Sequence, residues 1–232
     1  MPARCLASCS QDTEQRREGV NVDHLDVVIQ RYPVLEACRA EIRQAAAMMI
    51  ACYEGRGKIL LCGNGGSQAD ADHIVGELMK GFLLRRPVSE TFRRTLAENF
   101  DDGTWMADHL QEGLPAISLG AQTALNTAFS NDVAADMAFA QQVYGYGRPG
   151  DVLIGLSTSG NSRNVVQAMK VAKAMEMGTI GISGAGGGKL GQLCQCIIAL
   201  PETETFKVQE LTLPVYHALC AAVEAHFFAC PT

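Results

Sequence analysis

Residues 58–77, KILLCGNGGSQADADHIVGE, limit the fold more than any other part of this 232-residue chain. The apolar run ILLC at 59–62 is short and lacks polar alternation, which is typical of a strand buried on both faces of a parallel sheet. Gly63, Gly65 and Gly66 then break the strand, and Ser67 is placed to cap a following helix. A helix that begins after such a loop presents free N–H groups and the positive end of its dipole. The segment therefore predicts a phosphate site at the end of a buried strand.

A tight strand-to-helix turn without a ligand would contain the same glycines, so the glycines alone leave that alternative open. The loop is neither a GxGxxG nor a GxxxxGK[ST] pattern, which excludes the fingerprints of dinucleotide and nucleoside triphosphate sites. A phosphate bound here would belong to another kind of molecule.

A second loop with the same chemistry follows another apolar run, VLIGL at 152–156. Serine and threonine hydroxyls crowd this loop at Ser157, Thr158, Ser159 and Ser162. They can donate to phosphate oxygens at the start of a helix predicted over 163–177. Such residues also fill ordinary loops, but their density after a buried strand favours ligand binding.

The hydrophobic period alternates between helix and strand along the chain. Apolar runs predict short strands at about 58–62, 116–118, 152–156, 179–183 and 196–200. The helical stretches between them indicate an α/β fold, a three-layer, doubly wound sheet of five parallel strands. Asp23 is placed to cap a short helix that ends before Pro33, and 34–54 is predicted to be one long helix. The apolar stripe of that helix fits either core packing or a subunit interface.

We expect a disordered tail at 1–21 and one domain over 22–232, with an insertion at about 83–113. The insertion is predicted to hold one or two short helices, as a surface excursion or a lid. Its arginines would meet an anionic substrate or lie in solvent; they are Arg85, Arg86, Arg93 and Arg94. In the tail, Cys9 ends a lipobox-like LASC, but eight preceding residues are too few for a signal peptide, so lipidation is the lesser alternative.

Composition excludes several partners. The formal charge of −6 leaves no basic stripe for nucleic acid, and no segment resembles a membrane span. The nine cysteines lack zinc-ribbon spacing, and most lie in apolar surroundings. We therefore expect reduced thiols and a cytoplasmic protein.

Two helices carry polar groups suited to proton transfer or to a metal. His73 and Glu77 are four residues apart and share one helix face. Gln209, Glu210 and His217 interrupt an apolar C-terminal helix that also contains Pro214. Taken alone, the first pair is more often a surface contact, and a single histidine in an apolar helix is more often a core residue.

Four strings together resemble the SIS (sugar isomerase) domain family, in its phosphoheptose isomerase branch. They are CGNGGSQADADHIVGEL, SNDVAADMAFAQQV, GDVLIGLSTSGNSRNVVQAMKVAKAMEMGTIGISG and VQELTLPVYH. The resemblance covers about 42–228, apart from the insertion. It implies a flavodoxin-like SIS fold and a homotetramer with N-terminal helices used for oligomerisation. It also implies conversion of sedoheptulose 7-phosphate to D-glycero-D-manno-heptose 7-phosphate, an aldose–ketose isomerisation through an enediol.

The resemblance also assigns residues. It implies a phosphosugar site formed by Asn64, Gly65, Gly66, Ser67, Asp132, Ser157, Thr158, Ser159, Ser162 and Gln209. His73, Glu77, Gln209 and His217 fall where family members place zinc ligands or the catalytic pair, with Glu77 as base and His217 as acid. These two sets of roles overlap, because a closed set of four ligands would leave no open position on the metal.

One departure from the family pattern leaves the sugar open. The family usually follows its Glu-Leu with a small residue and a basic-aromatic pair, whereas this chain has ELMKGF at 77–82. Another ketose phosphate would fit the same machinery. Some relatives are non-catalytic and bind the replication initiator, but His73, Glu77 and His217 together argue against that role here. A sugar-phosphate sensor would carry a helix-turn-helix domain, and this sequence has none.

Overall fold

The computed structural model describes residues 23–229, so the predicted tail and Cys9 lie outside the described range. Five parallel strands form one sheet in the order β2-β1-β3-β4-β5. They are β1 (Ile59–Cys62), β2 (Ala116–Ser118), β3 (Val152–Leu156), β4 (Gly178–Ser183) and β5 (Cys196–Ala199). The predicted α/β fold class is confirmed, and each strand lies within a residue of its predicted bounds.

Alternate residues of each central strand enter two separate cores, because successive side chains of a strand point to opposite faces. Leu61 and Ile154 pair across β1 and β3 and face the larger core. Leu60 and Leu153 face the smaller core on the other side. The sheet is therefore covered on both faces, which explains why its strands show no polar alternation.

The larger core is covered by four helices: α1 (His24–Arg31), α2 (Arg39–Glu54), α3 (Gly66–Met79) and α10 (Thr205–Phe228). The remaining helices are α4 (Glu90–Asn99), α5 (Gly103–His109), α6 (Thr123–Phe129), α7 (Ala138–Tyr146), α8 (Arg163–Ala174) and α9 (Leu190–Leu193). Of these, α7, α8 and α9 cover the smaller core. Asp23 caps α1 through its side chain, as predicted.

The single helix predicted over 34–54 is wrong. Pro33–Cys38 forms a 3-10 helix, and Cys38 leaves the helical region at φ −128° and ψ 21° before α2 begins. Pro33 starts the new turn, because its fixed φ suits a helix start and it has no N–H to donate. The apolar stripe is nonetheless intact and is buried in the larger core at Leu35, Cys38, Ile42, Ala45, Met49 and Cys52. Of the two alternatives for this stripe, core packing within the chain is the one observed.

Segment 83–113 contains two short helices, α4 and α5, joined by a small core at Val88, Leu96 and Ala107. Arg86 fits neither alternative, because it is only 1% exposed and pairs with the buried Glu224 of α10. Arg93 binds Asp108 of the same segment at 2.7 Å.

The expectation that no segment resembles a membrane span is wrong for helix α10. By length and composition alone its 24 residues would be able to cross a membrane. Half of its apolar window is buried inside the fold, however, and Glu224 on this helix forms an ion pair with Arg86 in the interior. An apolar core helix satisfies the same criterion, and Pro214 lies inside it, as expected from the sequence.

Candidate active site

Two loops leave the sheet at the carboxyl ends of β1 and β3, which are neighbours. The strand order reverses at this point, since β2 lies to one side of β1 and β3 to the other. In open α/β sheets such a switch point forms the crevice in which ligands bind. Asn64 in the first loop and Asn164 in helix α8 exchange two amide hydrogen bonds of 2.9 and 2.8 Å, which join the two loops.

The glycine loop starts helix α3 differently from the prediction. Helix α3 begins at Gly66, and the N-cap residue is Gly65, whose φ of +54° favours glycine over other residues. Ser67 is therefore not the cap; it lies in the first helical turn and is buried. Gly65 and Gly66 are exposed at the mouth of the crevice. The glycine pair, more than the serine, shapes this wall of the site.

The hydroxyl-rich loop leaves the start of helix α8 uncapped. Ser162 is the N-cap residue, but its side chain makes no capping bond and instead lies 2.9 Å from Ser157 Oγ. Ser159 Oγ accepts a hydrogen bond from the Asn161 backbone N–H at 3.2 Å. Thr158 is half-buried between them. An uncapped helix start beside several hydroxyls is a suitable environment for a phosphate group.

Helices α3 and α10 bring the predicted polar residues together. His73 Nε2 lies 3.0 Å from Glu77 Oε1, and the His73 and His217 rings meet edge to face with their centroids 5.1 Å apart. Lys80 Nζ lies 3.2 Å from the other Glu77 oxygen, and the Glu77 side chain is only 12% exposed. The histidine pair and the carboxylate therefore share one site within a single chain.

His217 has a buried nitrogen, Nε2, without a hydrogen-bond partner among the described residues. Burial lowers the pKa of His217, and the neighbouring His73 lowers it further, while Glu77 opposes the shift. The folded chain therefore favours the neutral imidazole. A neutral ring with one unpaired nitrogen can exchange a proton with a substrate oxygen or bind a cation.

Gln209 connects this group to the glycine loop. A Cβ atom added to Gly66 would lie only 2.6 Å from Gln209 Nε2, so the amide packs directly on the glycine. The absence of a side chain at Gly66 leaves room for the Gln209 amide at the start of α3. Another predicted residue, Asp132, is exposed in the π-helix Ser130–Ala134, and its side chain accepts a hydrogen bond from Asn131.

The donor chemistry of the site suits a zinc ion. Two imidazoles, a carboxylate and an amide oxygen are plausible ligands, and the unpaired nitrogen of His217 is a donor still available. Within residues 23–229, no three His, Cys, Asp or Glu side chains are already gathered in a metal-binding arrangement. Zinc therefore stays a prediction, with His73, Glu77, Gln209 and His217 as its ligands.

Several residues that position the site were missed from the sequence. The Tyr216 hydroxyl lies 2.8 Å from His73 Nδ1, and Asn164 pairs with Asn64. Gln68 donates to Ser118 Oγ at 2.7 Å and to Asp72, which fixes α3 against the end of β2. Tyr216 occupies an apolar stretch that looked like core, and the remaining pairs join distant segments. Only the QADAD run after the glycine loop, which holds Gln68 and Asp72, gave a local signal of polar residues on α3.

A sequence model of the SIS domain matches residues 26–99 and 107–184. The chain belongs to the SIS domain family. The break in the match, 100–106, falls within the predicted insertion. The recognition of this family from the glycine loop, the hydroxyl loop and the two polar helices is confirmed.

Curated relatives place the chain in the phosphoheptose isomerase branch. It is 38% identical over 187 residues to a phosphoheptose isomerase of Rhodospirillum rubrum, covering 81% of this chain and 86% of that protein. It is 37% identical over 193 residues to a phosphoheptose isomerase of Helicobacter pylori, covering 83% and 88%.

Solved structures agree with this placement. The fold is similar to that of phosphoheptose isomerase GmhA from Neisseria gonorrhoeae, with a TM-score of 0.67, 32% identity and coverage of 87% of this chain and 95% of that one. A phosphoheptose isomerase from Francisella tularensis gives a TM-score of 0.69 at 29% identity, with coverage of 86% and 94%. The flavodoxin-like SIS fold expected from the sequence is confirmed.

Proposed function

We propose that this chain is a phosphosugar aldose–ketose isomerase that converts sedoheptulose 7-phosphate to D-glycero-D-manno-heptose 7-phosphate. The observation that carries the proposal is the meeting of Glu77, His73 and His217 on α3 and α10, two helices that also meet where Gln209 packs on the glycine loop. The same two helices thus join the crevice at the carboxyl ends of the strands to a group suited to proton transfer. The names of the relatives support the choice of a heptulose phosphate.

Isomerisation moves a proton between adjacent carbons through an enediol, so it needs a base beside the carbons and an acid beside the oxygens. Glu77 is the base in this proposal. It is held between His73 Nε2 at 3.0 Å and Lys80 Nζ at 3.2 Å. His217 acts on the two oxygens, because a neutral ring has one N–H to donate and one nitrogen to accept, so it can give a proton to one oxygen and take one from the other.

The phosphate end of the sugar belongs to the two loops in this proposal. The hydroxyls of Ser157, Thr158, Ser159 and Ser162 donate to phosphate oxygens, and the uncapped start of α8 adds its backbone N–H groups. Asn64, Gly65, Gly66 and Ser67 line the opposite wall. Asp132 and Gln209 form hydrogen bonds with hydroxyl groups of the sugar in this proposal.

Zinc is part of the proposal as a bound ion. When bound it would polarise the carbonyl and stabilise the enediolate. His73, Glu77, Gln209 and His217 have the donor types to hold it, and the buried free nitrogen of His217 supports this assignment.

The proposal also includes a cytoplasmic homotetramer. Free thiols support a reducing compartment, since six described cysteines are unpaired, namely Cys38, Cys52, Cys62, Cys194, Cys196 and Cys220. Burial raises the pKa of Cys62 to about 12, which keeps this thiol protonated and inert. Exposed large apolar side chains, including Trp105 and Phe100 of the insertion, support contact with other subunits.

The test is a panel of ketose phosphates of five to seven carbons, with formation of the aldose measured for each. We expect turnover with sedoheptulose 7-phosphate and at least tenfold lower kcat/KM with the shorter ketoses. Preference for a shorter ketose would contradict the heptulose assignment but would still support an aldose–ketose isomerase. Absence of turnover with every sugar would contradict the isomerase proposal. Binding of the replication initiator in a pull-down would then support the non-catalytic alternative.

A further inference from the structure

A buried arginine caps the helix that carries Glu77. The Arg86 guanidinium donates to the carbonyl oxygens of Leu78 at 2.7 Å and Glu77 at 3.2 Å, at the carboxyl end of α3. The last carbonyls of a helix have no partner within the helix, and a cation there also suits the helix dipole. Arg86 therefore fixes the backbone of the proposed base itself.

The partner of Arg86 lies on the helix that carries His217. Glu224 is fully buried on α10, and its carboxylate lies 2.8 Å from the guanidinium. It also accepts backbone N–H bonds from Phe82 and Leu83, each at 2.7 Å, and from Leu84 at 3.1 Å. One carboxylate thus receives the arginine and three consecutive amides of the segment that follows α3.

The same segment touches His217. Glu224 is seven residues beyond His217, about two helical turns, so both side chains lie on one face of α10. The Phe82 ring, whose backbone N–H is held by Glu224, packs on the His217 ring with centroids 5.4 Å apart. Arg86 therefore holds the backbone of the proposed base, Glu77. Glu224 holds Phe82, whose ring packs on the proposed acid, His217.

We propose that Arg86 and Glu224 are positioning residues of the isomerase, which fix the distance between the carboxylate of Glu77 and the ring of His217. This inference rests on the proposed function. The pair lies on α10 and on the segment after α3, and none of its hydrogen bonds among the described residues reaches the loop that holds Ser157 and Ser162. Loss of the pair should therefore impair proton transfer and leave phosphate binding intact.

A contribution to the stability of the fold does not by itself explain this buried ion pair. Burying two charges has a large desolvation cost, and well-packed apolar residues often replace a buried ion pair without loss of stability. Geometry is the better explanation, because an arginine fork can hold a carboxylate and two carbonyls at the same time. A lysine would keep the charge but lack the fork.

The experiment compares Glu224→Gln and Arg86→Lys with a matched control, Asp151→Asn. Asp151 is another buried carboxylate that accepts backbone N–H bonds, from Lys58 and Arg148, and it pairs with Lys58 Nζ at 2.6 Å. It precedes β3, and none of its hydrogen bonds among the described residues reaches α3, α10 or the segment after α3. The control therefore reproduces the loss of a buried charge without touching Glu77 or His217.

For Glu224→Gln and Arg86→Lys we expect kcat to fall about 10- to 100-fold, because misplacing catalytic groups by about 1 Å costs up to about 100-fold. KM for sedoheptulose 7-phosphate should stay within about twofold, and Asp151→Asn should keep kcat within about threefold. Circular dichroism at the assay temperature establishes that each variant is folded. Arg86→Lys retains the buried charge pair, so it gives the answer if Glu224→Gln does not fold.

Unchanged kcat in a folded Arg86→Lys variant would overturn the positioning role. An equal fall in Asp151→Asn would overturn it as well, because the effect would then follow from general destabilisation. Both outcomes leave the wild-type isomerase activity in place, so they are distinguishable from failure of the proposed function, which an inactive wild type would show.

Discussion

Ser162→Ala tests whether the hydroxyl loop holds the phosphate. The side chain of Ser162 occupies an N-cap position but makes no cap; its described contact is with Ser157 at 2.9 Å. Loss of that neutral bond should lower the free energy of unfolding by about 1 kcal/mol. Loss of a hydrogen bond to a charged phosphate should cost about 1.5–3 kcal/mol. Since about 1.4 kcal/mol corresponds to a factor of ten, kcat/KM should fall about 10- to 100-fold.

Ser89→Ala is the matched control, because Ser89 is the N-cap of α4 and does cap it, accepting the Phe92 N–H at 3.3 Å. Its loss should also cost about 1 kcal/mol of stability. The two variants are compared by urea unfolding and by initial rates with sedoheptulose 7-phosphate. Equal stability loss with a fall in kcat/KM only in Ser162→Ala supports the assignment. Equal kcat/KM in the two variants would refute it.

Three further predictions concern the proton-transfer group. Glu77→Gln should abolish turnover and retain phosphosugar binding, measured by calorimetry; near-normal turnover would remove Glu77 as base. Removal of metal with a chelator, checked by metal analysis, should lower kcat at least tenfold, and added zinc should restore it. Full activity in metal-free protein would exclude zinc from the reaction. Because the pKa of His217 is lowered in the folded chain, the unfolded chain binds a proton on this ring more readily. The free energy of unfolding should therefore fall as the pH drops below about 6.5. In metal-free protein, His217→Gln should reduce that pH dependence of the unfolding free energy, and an unchanged dependence would contradict the assignment.

The strands could be predicted from the sequence because each is an unbroken apolar run between glycine or polar residues, and burial on both faces produces that pattern. Helix starts were less reliable. Ser67 looked like a cap, but the positive φ of Gly65 allowed the helix to start two residues earlier. Local rules favour a serine cap, whereas backbone geometry decided the outcome.

In the candidate site too, features set by local spacing could be predicted, and features set by helix packing could not. His73 and Glu77 could be paired because four residues span about one helical turn. Arg86 could not be placed, because a charged residue in a polar insertion looks solvated and its partner, Glu224, is 138 residues away. Tyr216 is buried in the larger core, and the contact of its hydroxyl with His73 also joins two segments far apart in the sequence. Contacts between distant segments depend on how the helices pack, which hydrophobic periodicity does not encode.

The exchange of amide bonds between Asn64 and Asn164 joins the two loops directly. Asn64 stands two residues before helix α3, which carries Glu77, and Asn164 lies in the first turn of α8, beside the hydroxyl loop. In the proposed function, a phosphate held at the hydroxyl loop would therefore also act on the start of α3, the helix that carries the proposed base. A sugar without its phosphate would lose more than affinity: it would also react more slowly once bound, because part of the phosphate's binding energy is spent on aligning the base.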